Sequence, residues 1–105
     1  MKNTERAAKK YNFNELGLLA NMNLVNDIKE MFGDIMEERI EAGKMPAENK
    51  EKATAMIRVY LDHVWEQTIE VAYYTFCELY DYLATGDLSS ALHMVQKKSI
   101  VTVIA

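Results

Sequence analysis

The chain has one cysteine, Cys77, one proline, Pro46, and four glycines in 105 residues. A lone cysteine closes no internal disulfide, which excludes a disulfide-stapled scaffold. With so few glycines and prolines there is little to interrupt helices, and the stretch from Ala47 to Thr85 contains neither. No uncharged apolar run approaches the roughly 20 residues that span a bilayer. The opening charges, Lys2, Glu5, Arg6, Lys9 and Lys10, are not followed by the apolar segment of a secretory leader, so a cytoplasmic location is expected. Basic excess is missing too. The formal net charge of −4 argues against a general grip on phosphate backbones.

Half of the residues are apolar and 27% are charged, the balance of a chain that folds. Residues 1–105 are expected to form a single helical domain, with residues 1–10 a basic arm, either loose or a fraying helix. A clearer start signal follows. Asn12 suits a helix N-cap, Glu15 returns a bond three residues later, and Tyr11 can staple onto Leu16. Apolar residues at Leu16, Leu19, Ala20, Val25, Ile28, Phe32, Ile35 and Ile40 keep the three-and-four rhythm of one helical face. The spacing predicts a first helix or helix pair over about 12–42. Asn21 and Asn23, whose side chains compete for backbone bonds, mark a plausible break.

Gly43 and Pro46 predict a stop and a reversal. Beyond them, Ala53, Ile57, Leu61, Val64, Thr68, Ala72, Phe76, Leu79 and Leu83 form one apolar stripe, with Arg58, Asp62, Glu66 and Glu70 as a wet stripe. The fold class is therefore all-α, a helical hairpin or bundle with one long central helix over about 47–85. Gly86 and Asp87 introduce a short third helix over about 87–98, carrying Leu88, Ala91, Leu92 and Val95, and then an apolar tail from Ile100 to Ala105 that suits either a helical extension or an extended strap. A continuous central helix would be a rod of roughly 55–60 Å, against about 35 Å for a ball of this many residues. This predicts an elongated molecule or one shared between chains.

Between Val71 and Cys77 there is no charge on any side of the helix, and a helix that is apolar all round must be covered all round. The expected partner-binding residues are Trp65, Ile69, Tyr73, Tyr74, Cys77 and Tyr80, because exposed aromatic surface marks interfaces. Three coverings fit: the chain's own third helix and tail, a second copy in a homodimer, or a foreign protein. In a hairpin turning near Lys44–Met45, Gly17 falls opposite Tyr73 and Tyr74, where a missing side chain would admit their rings. The same register sets Asp27 against His63.

Chemistry is sparse. Asp62, His63, Glu66 and Glu70 are the densest group of possible metal ligands, but the chain has no Glu-x-x-His and a solvated acidic stripe explains them better. Cys77 has aromatic neighbours and no basic one, the setting of an inert thiol. His93 reads as a surface residue, and most methionines as core filling. No catalytic residue, metal or cofactor is expected. The chain reads as a non-catalytic protein-binding molecule, a small regulator, adaptor or inhibitor of the kind found among phage and mobile-element anti-defence products. The alternatives are a dimeric nucleic-acid-binding regulator using the basic N-terminal arm, which this charge makes the weaker reading, and a metal-binding helical-bundle enzyme.

Overall fold

The computed structural model describes residues 5–13 and 17–97. Among them lie five helices and no strand: α1 (Glu5–Lys10), α2 (Leu18–Glu41), α3 (Ala47–Val64), α4 (Ile69–Ala84) and α5 (Leu88–Lys97). The all-α bundle expected from the periodicity is the observed fold. Ile100–Ala105, Lys2, Glu15 and Leu16 lie outside the described residues, so the tail, part of the arm and the Asn12–Glu15 and Tyr11–Leu16 pairings do as well.

The stripes set the core. Ala53, Ile57, Leu61, Val64, Ala72, Phe76, Leu79 and Leu83 are all buried, as are Leu88, Ala91, Leu92 and Val95 of α5. Arg58, Asp62, Glu66 and Glu70 are exposed, as their spacing requires. At the first reversal Gly43 takes a left-handed φ of 73° and Pro46 leads into α3 from extended backbone.

The single central rod is corrected. The helix stops at Val64, and the Glu66 and Gln67 amides donate to the carbonyls of His63 and Val64 in tightened turns of 3.1 and 2.9 Å. Thr68 then caps a new helix, its hydroxyl accepting from the Val71 amide at 3.2 Å, and Glu70 complements the positive end of that first turn. No glycine or proline is needed, because a threonine side chain that satisfies an orphan amide makes a helix start affordable. Split in this way, the chain measures 42 × 26 × 23 Å. The elongation expected from a 55–60 Å rod is not seen.

The first part also differs from expectation. The helix does not break at Asn21–Asn23: α2 runs unbroken from Leu18 to Glu41. Its N-cap is Gly17, with φ 56° and ψ −121°. A Cβ built on Gly17 meets nothing within 4 Å. Glycine is therefore required there by its backbone angle, and the expected close approach of tyrosine rings to it does not occur.

Helix directions follow from a few contacts. Lys10 and Tyr11 touch both Asp27 of α2 and Tyr80 of α4. One step along the chain, Phe13 bonds to Gly17 and stacks on Tyr73. Going from Gly17 to Asp27 thus parallels going from Tyr73 to Tyr80, so α2 and α4 point the same way and their N-terminal turns share one end of the bundle. Helix α3 runs back between those ends as the antiparallel arm of the hairpin, with Lys50 paired to Glu37 near the first reversal.

Candidate functional site

The expected partner-binding residues divide into three environments. Cys77 is fully buried. Tyr73, Tyr80 and Trp65 are half-buried against the core, Trp65 lying edge-on to Phe76 with centroids 5.2 Å apart. Ile69 and Tyr74 are exposed, Tyr74 at 66%. They do not form one continuous surface, because a covering absent from the expectations lies over part of them.

That covering is α1. Its first turn is capped from another helix: the Arg6 and Ala7 amides donate to the two carboxylate oxygens of Asp81 at 3.2 and 2.9 Å. A buried carboxylate with charge-assisted bonds from two amides is a strong anchor. Ala7 is fully buried and Tyr11 nearly so. The Tyr11 hydroxyl donates to Asp27, and the Tyr73 hydroxyl donates to the Tyr11 carbonyl at 2.5 Å. The Tyr11 and Tyr80 rings meet edge to face at 5.5 Å. Lys10 lies 3.5 Å from Asp27 and within 6 Å of the Tyr11 and Tyr80 ring centres.

This arrangement settles the condition of several groups. Burial pushes the Tyr73 hydroxyl up to about 12 and the Tyr11 hydroxyl higher. Lys10 is held above its ordinary value, chiefly by Tyr80, with burial opposing and Asp27 adding to the rise. The Asp27–His63 contact expected from the hairpin register is replaced: Asp27 serves Tyr11 and Lys10, and His63 sits 3.3 Å from Glu66 in the turn that follows α3. Among the described residues, no three His, Cys, Asp or Glu side chains converge as a metal site would require.

Burial also pushes the Cys77 thiol up to about 11 from an ordinary value of 9, while a hydrogen bond with Tyr73 opposes this less strongly. At pH 8 that difference leaves about a hundredfold less thiolate than a free cysteine carries, before access is counted. Native protein is therefore expected to react with a thiol-specific disulfide reagent at least a hundred times more slowly than the urea-unfolded chain. Equal rates would show that the α1 covering opens freely.

Among the described residues seven large apolar side chains are exposed; one is Val59 on α3, and the other six lie in the first turns of two helices. Leu18, Leu19 and Met22 in the first turns of α2, and Ile69, Val71 and Tyr74 in the first turns of α4, are each 45% to 66% exposed. The parallel course of the two helices places both groups at the same end. Leu19, which the periodicity places on the apolar face, is exposed, and so is the methionine Met22. Exposed large apolar side chains in number are the usual mark of a partner surface, and they give that end of the bundle its character. Beside it, Tyr73, Tyr74 and Glu70 of α4 face Ala8, Asn12 and Phe13 across a groove floored by Cys77.

Sequence reasoning missed Leu18, Leu19, Met22 and Val71 as surface residues, and missed Asp81 altogether. A signal for the first group was present. Leu18, Leu19 and Ala20 are consecutive, so they reach round the helix just as residues 71–77 do. Asp81 stands four residues after Cys77, on the same helical face, where a carboxylate among apolar neighbours implies a donor from elsewhere. No described helix is long and apolar enough to cross a membrane. No protein-family model, curated protein or solved structure matches the chain.

Proposed function

We propose that this chain is a non-catalytic protein-binding molecule, a small regulator, adaptor or inhibitor that works by contact through the apolar end of its bundle. The observation that carries this reading is the gathering of Leu18, Leu19 and Met22 with Ile69, Val71 and Tyr74 on two parallel helix starts. Water contact with that much apolar area is unfavourable by about 25 cal/mol per Å², which a partner presenting its own apolar face would remove. Tyr74 supplies the kind of anchor that dominates interfaces, a large ring with few rotatable bonds and a hydroxyl that tolerates the wet rim. Of the six residues first expected to bind a partner, Ile69 and Tyr74 keep that role, Tyr73 borders the site, and Trp65, Cys77 and Tyr80 support it from within.

Tyr74→Asp is the test. It is expected to leave helicity and the melting temperature nearly unchanged, because Tyr74 is mostly in solvent, while weakening binding to a partner captured by cross-linking in the native cell by more than tenfold. Partner binding that survives both Tyr74→Asp and Leu19→Asp would remove the bundle end from consideration. An interface of this kind should also be nearly indifferent to salt, whereas a grip on phosphates would weaken steeply with ionic strength.

A further inference from the structure

We propose that the groove beside the apolar end receives an arginine side chain of the protein partner, its guanidinium lying against aromatic rings and paired with Glu70. The proposal rests on the protein-binding reading above and adds the charge that the partner must present.

The groove has a volume of 390 Å³, within the range of ligand pockets, and its lining has a particular chemistry. Three of its side chains are aromatic, Phe13, Tyr73 and Tyr74, one is a carboxylate, Glu70, and none is basic. Glu70 stands three residues before Tyr73 and four before Tyr74, so the three project from one side of α4. Its carboxylate enters no ion pair among the described residues. The floor is Cys77, whose thiol stays neutral at pH 7 because burial pushes it up to about 11. Glu70 is thus the one charge in the lining.

A negative charge beside aromatic rings is the complement of a cation, since each ring face carries the negative part of its quadrupole. One wall is held before anything binds. The Tyr73 ring lies 4.9 Å from Phe13 at 34°, and its hydroxyl is tied to the Tyr11 carbonyl, so binding freezes few rotamers there. Tyr74, mostly in solvent, is the ring that has to settle. The positive start of α4 opposes a cation, but that effect fades within the first turn, and the groove extends along α4 from Glu70 to Cys77, about two turns. Arginine suits this lining better than lysine. A guanidinium is flat, stacks on rings and sheds water more readily than an ammonium, and the groove has few polar groups to replace that water. The net charge of −4 favours approach of a basic partner in the same sense.

Ethylguanidinium, which carries the arginine head group, and ethylurea, its neutral isostere, test the groove without a partner. In NMR titrations ethylguanidinium is expected to bind at least fivefold more tightly, moving the Tyr73 and Tyr74 ring signals and shifting its own ethyl protons upfield. Glu70→Gln and Tyr74→Leu are each expected to weaken it about fivefold. Leucine keeps apolar bulk at the bundle end and removes only the ring face. Both positions are exposed, so an unchanged thermal melt is expected; if one variant fails to fold, the other carries the comparison. Equal binding of ethylurea would overturn the proposal, as would shifts centred on Asp62 and Glu66, or binding unchanged in the variants. Binding to the partner reports the underlying reading separately. Loss on Leu19→Asp with retention on both Glu70→Gln and Tyr74→Leu would keep the apolar end and remove the arginine. A dimer of this chain that dissociates on Glu70→Gln would put a second copy in the groove and overturn the foreign partner.

Discussion

Replacing Phe76 with alanine is expected to destabilise the protein by about 3–5 kcal/mol, the range for truncating a fully enclosed phenylalanine. Phe76 has no solvent exposure, lies on the continuous apolar stripe of α4, and holds the Trp65 ring against its edge. The loss has two parts: the transfer of its ring atoms from water, and a cavity that the helices around α4 close only in part. Domains of this size have about 5–15 kcal/mol in total, so the urea midpoint should fall by about a fifth or more and the melting temperature by on the order of 15 °C. Trp65 is the only tryptophan, and its emission should shift to the red as the ring beside it is removed. Two positions away, Tyr74→Asp should scarcely move either transition. A Phe76→Ala protein destabilised by less than 1 kcal/mol would mean that α4 is not packed as described.

The second large effect has the opposite sign. Asn21→Leu is expected to stabilise the fold by about 1–3 kcal/mol. Asn21 is fully buried, and neither its amide oxygen nor its amide nitrogen finds a hydrogen-bond partner among the described residues. A buried amide without partners forfeits the bonds it made to water and gains none in return. Leucine keeps the same branched outline while removing both polar atoms, and it is a better helix former by a few tenths of a kcal/mol. Chemical denaturation should show a higher midpoint at unchanged slope. A variant less stable than the natural chain by more than 1 kcal/mol would show that the amide is satisfied or that the position is too tight for two methyl groups. The same residue clarifies the expectation that α2 would break at Asn21–Asn23. An asparagine side chain competes for the backbone, but here it is enclosed with Leu24, Val25 and Ile28, and burial of that face outweighs its preference for a turn.

Helical spacing accounted for much of the fold and for a smaller part of the candidate surface. The stripe from Ala53 to Leu83, except Thr68, and the α5 face of Leu88, Ala91, Leu92 and Val95 are buried as their periodicity implied; Thr68 is exposed at the turn. The turn at Thr68 was hidden by that same regularity. Val64, Thr68 and Ala72 keep steps of four, so the pattern stays in phase while the backbone changes direction, and only the capping chemistry of Thr68 and Glu70 marked the start of a new helix. At the surface, the absence of charge from Val71 to Cys77 pointed to a segment needing cover on every side; α1 covers the Tyr73 side while Val71 and Tyr74 stay exposed. What covered it was not legible. The α1 segment has few apolar residues and reads as a solubilising arm, because its docking depends on backbone amides that every sequence possesses.

By itself, then, the sequence determined that the chain is helical and, over most of its length, which side of the helices is apolar, since both depend on neighbours three and four positions apart. Tertiary structure alone decided that the central segment folds back on itself, that Asp81 holds a helix start some 75 residues away, and that Leu18, Leu19 and Met22 come to the same end as Ile69, Val71 and Tyr74. Those outcomes rest on contacts between groups far apart in the chain. A carboxylate's partner, or the cover over an aromatic ring, is fixed only when the helices have been set beside one another.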